Sequence, residues 1–244
     1  MPPVPRRRTA YDPSVIEEPP RTLARAQTSR GDLALRVRAS PGGPVHELIV
    51  AGIFAMDDVD HSTEDVLAEA ALSRCGTPAR VLVGGLGLGH TALAVLHDRR
   101  VAELEIVELE EPLVAWAHAG LVPTLAAVAA DPRVRLRIAD IAAVLTEPGP
   151  AYDVVLLDVD NGPSFLVHQA NAGLYAEAHL RAAIDRLAPG GVLAIWAAQR
   201  EPELFARLQE IAGAQDSIAE LVLPITREGR SFDYAIYLVE RSGT

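Results

Sequence analysis

The chain has 244 residues, 22 Lys+Arg against 33 Asp+Glu for a formal net charge of −11, 49% hydrophobic residues and one cysteine. This is enough apolar material for one large α/β core, so global disorder is excluded, as are a disulfide framework and a cysteine zinc cluster. The acidic balance argues against a nucleic-acid surface, and no apolar run approaches the roughly 18 residues of a membrane span.

Residues 1–25 contain six prolines (Pro2, Pro3, Pro5, Pro13, Pro19 and Pro20) and read as a flexible tail. The arginines of its first ten residues have no apolar stretch behind them, so no secretory signal is read and a cytoplasmic location is expected. Residues 26–60 read as a small N-terminal β unit. Leu33, Leu35 and Val37 alternate with small or polar residues, Ser40-Pro-Gly-Gly-Pro44 is a turn cluster, and Glu47–Val50 and Ile53–Met56 follow as short strands. The main domain, residues 61–244, opens with Ser62-Thr-Glu-Asp65, which has the pattern of a capping box. Val66, Leu67, Ala70 and Ala71 then form one helical face ending near Arg74.

From Ala79 onward, strands alternate with helices. Strands are read at Val81–Val83, Leu104–Val107, Val134–Ile138, Val154–Leu157 and Val192–Trp196. Helices are read over His90–His97, Leu113–Ala119, Ala176–Leu187 and Pro202–Ile211. A closing pair, Ile218–Leu223 and Tyr234–Val239, reads as a hairpin at a sheet edge. Short apolar strands between helices predict an α/β, Rossmann-like doubly wound parallel sheet.

The candidate chemistry lies at the carboxyl ends of those strands, where open parallel sheets bind ligands. Gly85, Gly87 and Gly89 follow the first strand and let a nucleoside approach the backbone. Glu108 ends the second strand, about 20 residues on, where an acid binds ribose hydroxyls. Asp140 ends the third strand, where it can face an adenine amino group or merely cap a helix. Asp158 ends the fourth, beside Asp160 and Asn161. His168 is read as a candidate general base near neutral pH. His61, at the mouth of the site, joins Asp160 and Asn161 as a candidate acceptor-binding residue. The seven histidines show no metal-ligand spacing, so no metal is expected. A nicotinamide nucleotide fits the glycine loop but accounts less well for Asp140 and Asp158.

This order resembles the class I S-adenosylmethionine-dependent methyltransferases, and more closely the spermidine synthase (polyamine aminopropyltransferase) family. The matching stretches are Gly85–His90, Val107-Glu-Leu-Glu110, Ile138-Ala-Asp140, Tyr152–Asp158, Gly162-Pro163 and Leu174-Tyr175. The resemblance implies a homodimer, a nucleoside donor and a small-molecule acceptor. It also places Asp158 as the catalytic acid–base group. The family's loop aspartate, which meets the ammonium of decarboxylated S-adenosylmethionine, is read as Leu88. Ala51 and Ala55 stand where the family has aspartate and glutamine, and no aromatic residue lies between Ser62 and Arg74. A leucine in the loop neither pairs that ammonium nor repels a carboxylate. The sequence therefore leads to an S-adenosylmethionine-dependent methyltransferase acting on a small amine or hydroxyl. Aminopropyl transfer from the decarboxylated nucleoside is the alternative, and a non-catalytic nucleoside-binding scaffold the third reading.

Overall fold

The computed structural model describes residues 19–159, 162–164, 173–227 and 230–243. The N-terminal unit is a four-stranded antiparallel sheet of β1 (Arg21–Thr28), β2 (Gly31–Arg38), β3 (Val45–Val50) and β4 (Ile53–Asp57), paired in that order. The reading of residues 1–25 as tail is thus corrected at residues 21–25, while residues 1–18 lie outside the described residues. Arg21–Arg25 pair with β2, with Arg25 opposite Ala34. Leu33, Leu35 and Leu48 are buried and turn this sheet's inner face to the main domain, where they join its core.

The main domain runs α1 (Ser62–Arg74), β5 (Arg80–Gly84), α2 (His90–His97), β6 (Glu103–Glu108), α3 (Glu111–His118) and α4 (Pro123–Ala130). It continues with β7 (Val134–Ile138), α5 (Ile141–Thr146), β8 (Tyr152–Leu157), α6 (Glu177–Asp185), β9 (Leu187–Ala197), α7 (Pro202–Ile211), β10 (Ser217–Arg227) and β11 (Arg230–Glu240). Its seven strands lie in the order β10-β11-β9-β8-β5-β6-β7. β5 to β9 are mutually parallel, and β11 is antiparallel to both β9 and β10. The doubly wound α/β reading holds, with the final hairpin making the sheet mixed.

Alternation along each strand loads the two faces. Val81 and Val83 pack with Leu67, Val95 and Leu125 on one side, while Leu82 packs with Val144, Leu180 and Leu204 on the other. Two helices went unread: α4, which is half alanine, and the six-residue α5. The capping box does not form. His61 occupies the N-cap of α1 without a side-chain cap bond, Ser62 Oγ donates to Asp60, and Asp65 pairs with His61 Nδ1 at 2.9 Å. Among the described residues, no single helix is long and apolar enough to cross a membrane.

β5 lies between β6 and β8, and its exit ties both neighbours together. Gly85 N donates to Val107 O at 2.9 Å, and Asp158 N donates to Gly84 O at 3.0 Å. Gly85 has φ +93°, and a Cβ there would overlap the carbonyl oxygen of Asp158. Gly85→Ala should therefore lower the unfolding free energy by roughly 2–4 kcal/mol, combining positive-φ strain with overpacking. Gly42→Ala, in open space without a positive φ, should change it by less than about 0.5 kcal/mol. Urea unfolding of the two variants checks this, and equal effects would contradict it.

Candidate active site

A cavity of about 500 Å³ opens above the carboxyl ends of β5, β6 and β8. Its floor is the loop after β5, where Gly85, Leu86 and Gly87 face the space. Glu108 ends β6 and is 8% exposed. Its Oε2 accepts from Leu86 N at 2.9 Å and its Oε1 from Glu110 N at 2.7 Å. These bonds fix the carboxylate against the glycine loop, and each oxygen keeps a second lone pair for a hydroxyl donor. Burial raises its pKa, against the lowering effect of the backbone donors.

Asp140 also lines the cavity, and it caps α5 by accepting from Ala142 N at 2.8 Å. The capping and ligand-facing readings are therefore compatible. Asp158 is held by Thr91, whose hydroxyl donates to Oδ2 at 2.5 Å. Burial first, and the charge of Glu64 second, raise the Asp158 pKa from 3.8 to about 7, while the Thr91 bond pulls it down. The wall opposite the loop comes partly from the N-terminal unit, through Ala55 and Met56 of β4. That unit is pinned to the Glu108 end of the cavity by Arg30, which donates to Glu110 Oε1 at 2.9 Å and to Leu109 O at 2.8 Å.

Several expected site residues stand elsewhere. Gly89 lies outside the cavity lining, at the N-cap of α2, with Leu125 of α4 as its nearest neighbour. His61 stacks on His90 with ring centroids 4.6 Å apart and lines a second groove between α1 and α2, not the cavity. It is shut off because His90, 5% exposed, stands between them and lines both spaces. Asp160, Asn161 and His168 lie outside the described residues.

Leu88 requires the largest correction. It is fully buried, packs in the core with Val83 and Leu125, and does not reach the cavity. The loop begins at Gly84, and counting the glycine motif from there puts Gly87 in the aspartate's place. A Cβ on Gly87 would lie 2.8 Å from Met56 Sδ, so a thioether fills the space where a loop side chain would project.

The sequence model of the spermine/spermidine synthase domain matches residues 60–221. The chain belongs to that family. A polyamine aminopropyltransferase of Synechococcus is 32% identical over 166 residues, which cover 66% of this chain and 48% of that protein. Putrescine N-methyltransferase 3 of Nicotiana tabacum is 29% identical over 132 residues, covering 53% of this chain and 32% of its own length. The chain thus spans about half or less of the length of these relatives. A solved spermidine synthase in complex with the transition-state analogue AdoDATO superposes with a TM-score of 0.71 at 18% identity. The superposition covers 92% of this chain and 73% of the other, and it shows the shared fold.

These findings overturn the expectation of methyl transfer. The matching family is that of the spermine and spermidine synthases, and the more extensive of the two sequence matches is an aminopropyltransferase. The leucine on which the expectation rested does not touch the cavity. Reading from sequence also missed Glu64, His90, Thr91, Met56 and Trp196, all of which line the cavity. Glu64 was legible only as a helix-start acid, and Thr91 only by its place just after the glycine loop.

Asp158 ionises near pH 7 in the fold and near 3.8 when solvated. Between those values the native state binds more protons than the unfolded chain, so Asp158 makes stability fall as pH rises through that interval. Asp158→Asn removes this term. The melting temperature of the variant relative to wild type should therefore rise steadily from pH 4 to pH 7. A difference independent of pH would show that the surroundings of Asp158 do not raise its pKa.

Proposed function

We propose that the chain is a polyamine aminopropyltransferase that moves the aminopropyl group of decarboxylated S-adenosylmethionine to a small amine. The observation carrying this reading is the half-buried carboxylate of Asp158, beside the glycine loop and opposite Glu108 in one cavity, in a chain of the spermine/spermidine synthase family. Glu108 would accept from the ribose hydroxyls and Asp140 from the adenine amino group. Both roles suit acceptor-only carboxylates facing neutral donors.

The reaction asks the protein for position and for one proton acceptor. The acceptor's neutral amine nitrogen attacks the propyl carbon bonded to the sulfonium. The new N–C bond forms as the C–S bond breaks, and sulfur keeps the electron pair in 5′-methylthioadenosine. The attacking nitrogen then carries one proton too many, and Asp158 takes it. An Asp158 pKa near 7 suits that task. Bound cations favour the ionised carboxylate, and Thr91 fixes the rotamer of the base.

Incubation with the decarboxylated nucleoside and 1,4-diaminobutane should yield 5′-methylthioadenosine and an aminopropylated diamine by mass spectrometry. Asp158→Asn should lower kcat by at least about a hundredfold. Glu108→Ala should weaken nucleoside binding by about tenfold or more, through loss of charge-assisted bonds. Binding without turnover would favour the scaffold reading, and no binding of either nucleoside would overturn the assignment.

A further inference from the structure

An aminopropyl donor carries a primary ammonium at the end of its transferred arm, and burying that cation without a counter-charge is costly. The glycine loop supplies none: Leu88 is in the core, and Met56 fills the space above Gly87. At the nucleoside end, Glu108 is fixed to the loop, Glu110 is paired with Arg30, and Asp140 caps α5. Among the described residues, the cavity holds one more acid beside Asp158, namely Glu64. It lies in the first turn of α1 and is half-buried, with Oε2 accepting from Thr63 Oγ1 at 2.6 Å. It is close enough to act electrostatically on Asp158.

His90 is the independent pointer to a ligand here. It lines the same cavity, is 5% exposed, and its Nε2 has no hydrogen-bond partner among the described residues. Burial, and then the neighbouring His61, lower its pKa, which keeps the ring neutral with one nitrogen lone pair to offer. An ammonium brings three N–H donors, whereas a carboxylate would bring only acceptors to a wall that already has two acids.

We propose that Glu64, with His90 beside it, holds the ammonium of the donor's aminopropyl arm and so makes the cavity select the decarboxylated nucleoside. Asp158 is left for the attacking amine. A donor that retains its carboxylate would set that group against Glu64, so selection combines attraction of one ligand with repulsion of the other. The inference rests on the aminopropyltransferase reading and names the residue that sets donor choice within it.

Calorimetry with decarboxylated S-adenosylmethionine, S-adenosylmethionine and 5′-methylthioadenosine tests it on the full chain. Wild type should prefer the decarboxylated form over S-adenosylmethionine by about 10–100-fold. Glu64→Gln should reduce that preference to within about threefold, while 5′-methylthioadenosine, which lacks the arm's ammonium, binds as to wild type and reports an intact fold. Glu64→Asp, which keeps the charge, should retain most of the preference. His90→Phe, which keeps a ring against His61 but loses the lone pair, should weaken the decarboxylated form more than 5′-methylthioadenosine. If wild type prefers the decarboxylated nucleoside and Glu64→Gln prefers it equally, the inference is overturned and the aminopropyltransferase reading stands. A wild type with no such preference overturns both.

Discussion

The site depends on how closely the chain passes itself where β5 leaves the sheet. Gly85 lies against the carbonyl of Asp158 with no room for a Cβ, and adjacent backbone bonds join the exit of β5 to both β6 and β8. This is the point in a doubly wound sheet where successive connections diverge to opposite faces, and it leaves a crevice over the strand ends. Glu108 and Asp158 end the two flanking strands, so the same contact that closes the sheet sets two carboxylates on either side of one loop. The loop is in turn held by Glu108 through Leu86 N. Sheet geometry and ligand geometry are therefore a single constraint.

Electrostatics then divides the cavity. At the Glu108 end, carboxylates are already held by backbone N–H groups, which suits the neutral hydroxyl and amino donors of the proposed nucleoside. At the Asp158 end, a half-buried carboxylate with few donors has an acid as its neighbour, and its pKa rises to about 7. An empty site of this kind carries an electrostatic cost that a cation relieves. The sulfonium of the proposed donor is such a cation, and so is the non-attacking ammonium of a diamine acceptor. The N-terminal sheet contributes by covering the cavity with Ala55 and Met56 and by clamping its Glu108 end through Arg30.

The sheet was legible because its strands are short apolar runs with glycines or acids at their ends, and Glu108, Asp140 and Asp158 are where that pattern puts them. The limits were physical. Alternation shows that a residue lies in a strand or loop but not which way a loop side chain turns, and so Leu88 was read as facing the ligand when it packs inward. A one-residue difference in where the glycine motif starts decides that question. Glu64 and His90 were hidden because an acid at a helix start and a histidine after a glycine loop each have an ordinary local explanation. Only the packing of α1 and α2 beside β8 brings them to one wall. The His61 reading failed for the converse reason: sequence proximity to the site says nothing about the His90 ring that stands between.

The central claim is that Asp158 sits beside the reacting carbon of a nucleoside donor laid over the glycine loop. A crystal structure with decarboxylated S-adenosylmethionine bound tests this most directly. The account predicts ribose hydroxyls on Glu108, the sulfonium over Gly85–Gly87, and the propyl carbon next to the sulfur facing Asp158. A nucleoside bound elsewhere, or one whose sulfonium turns away from Asp158, would contradict it.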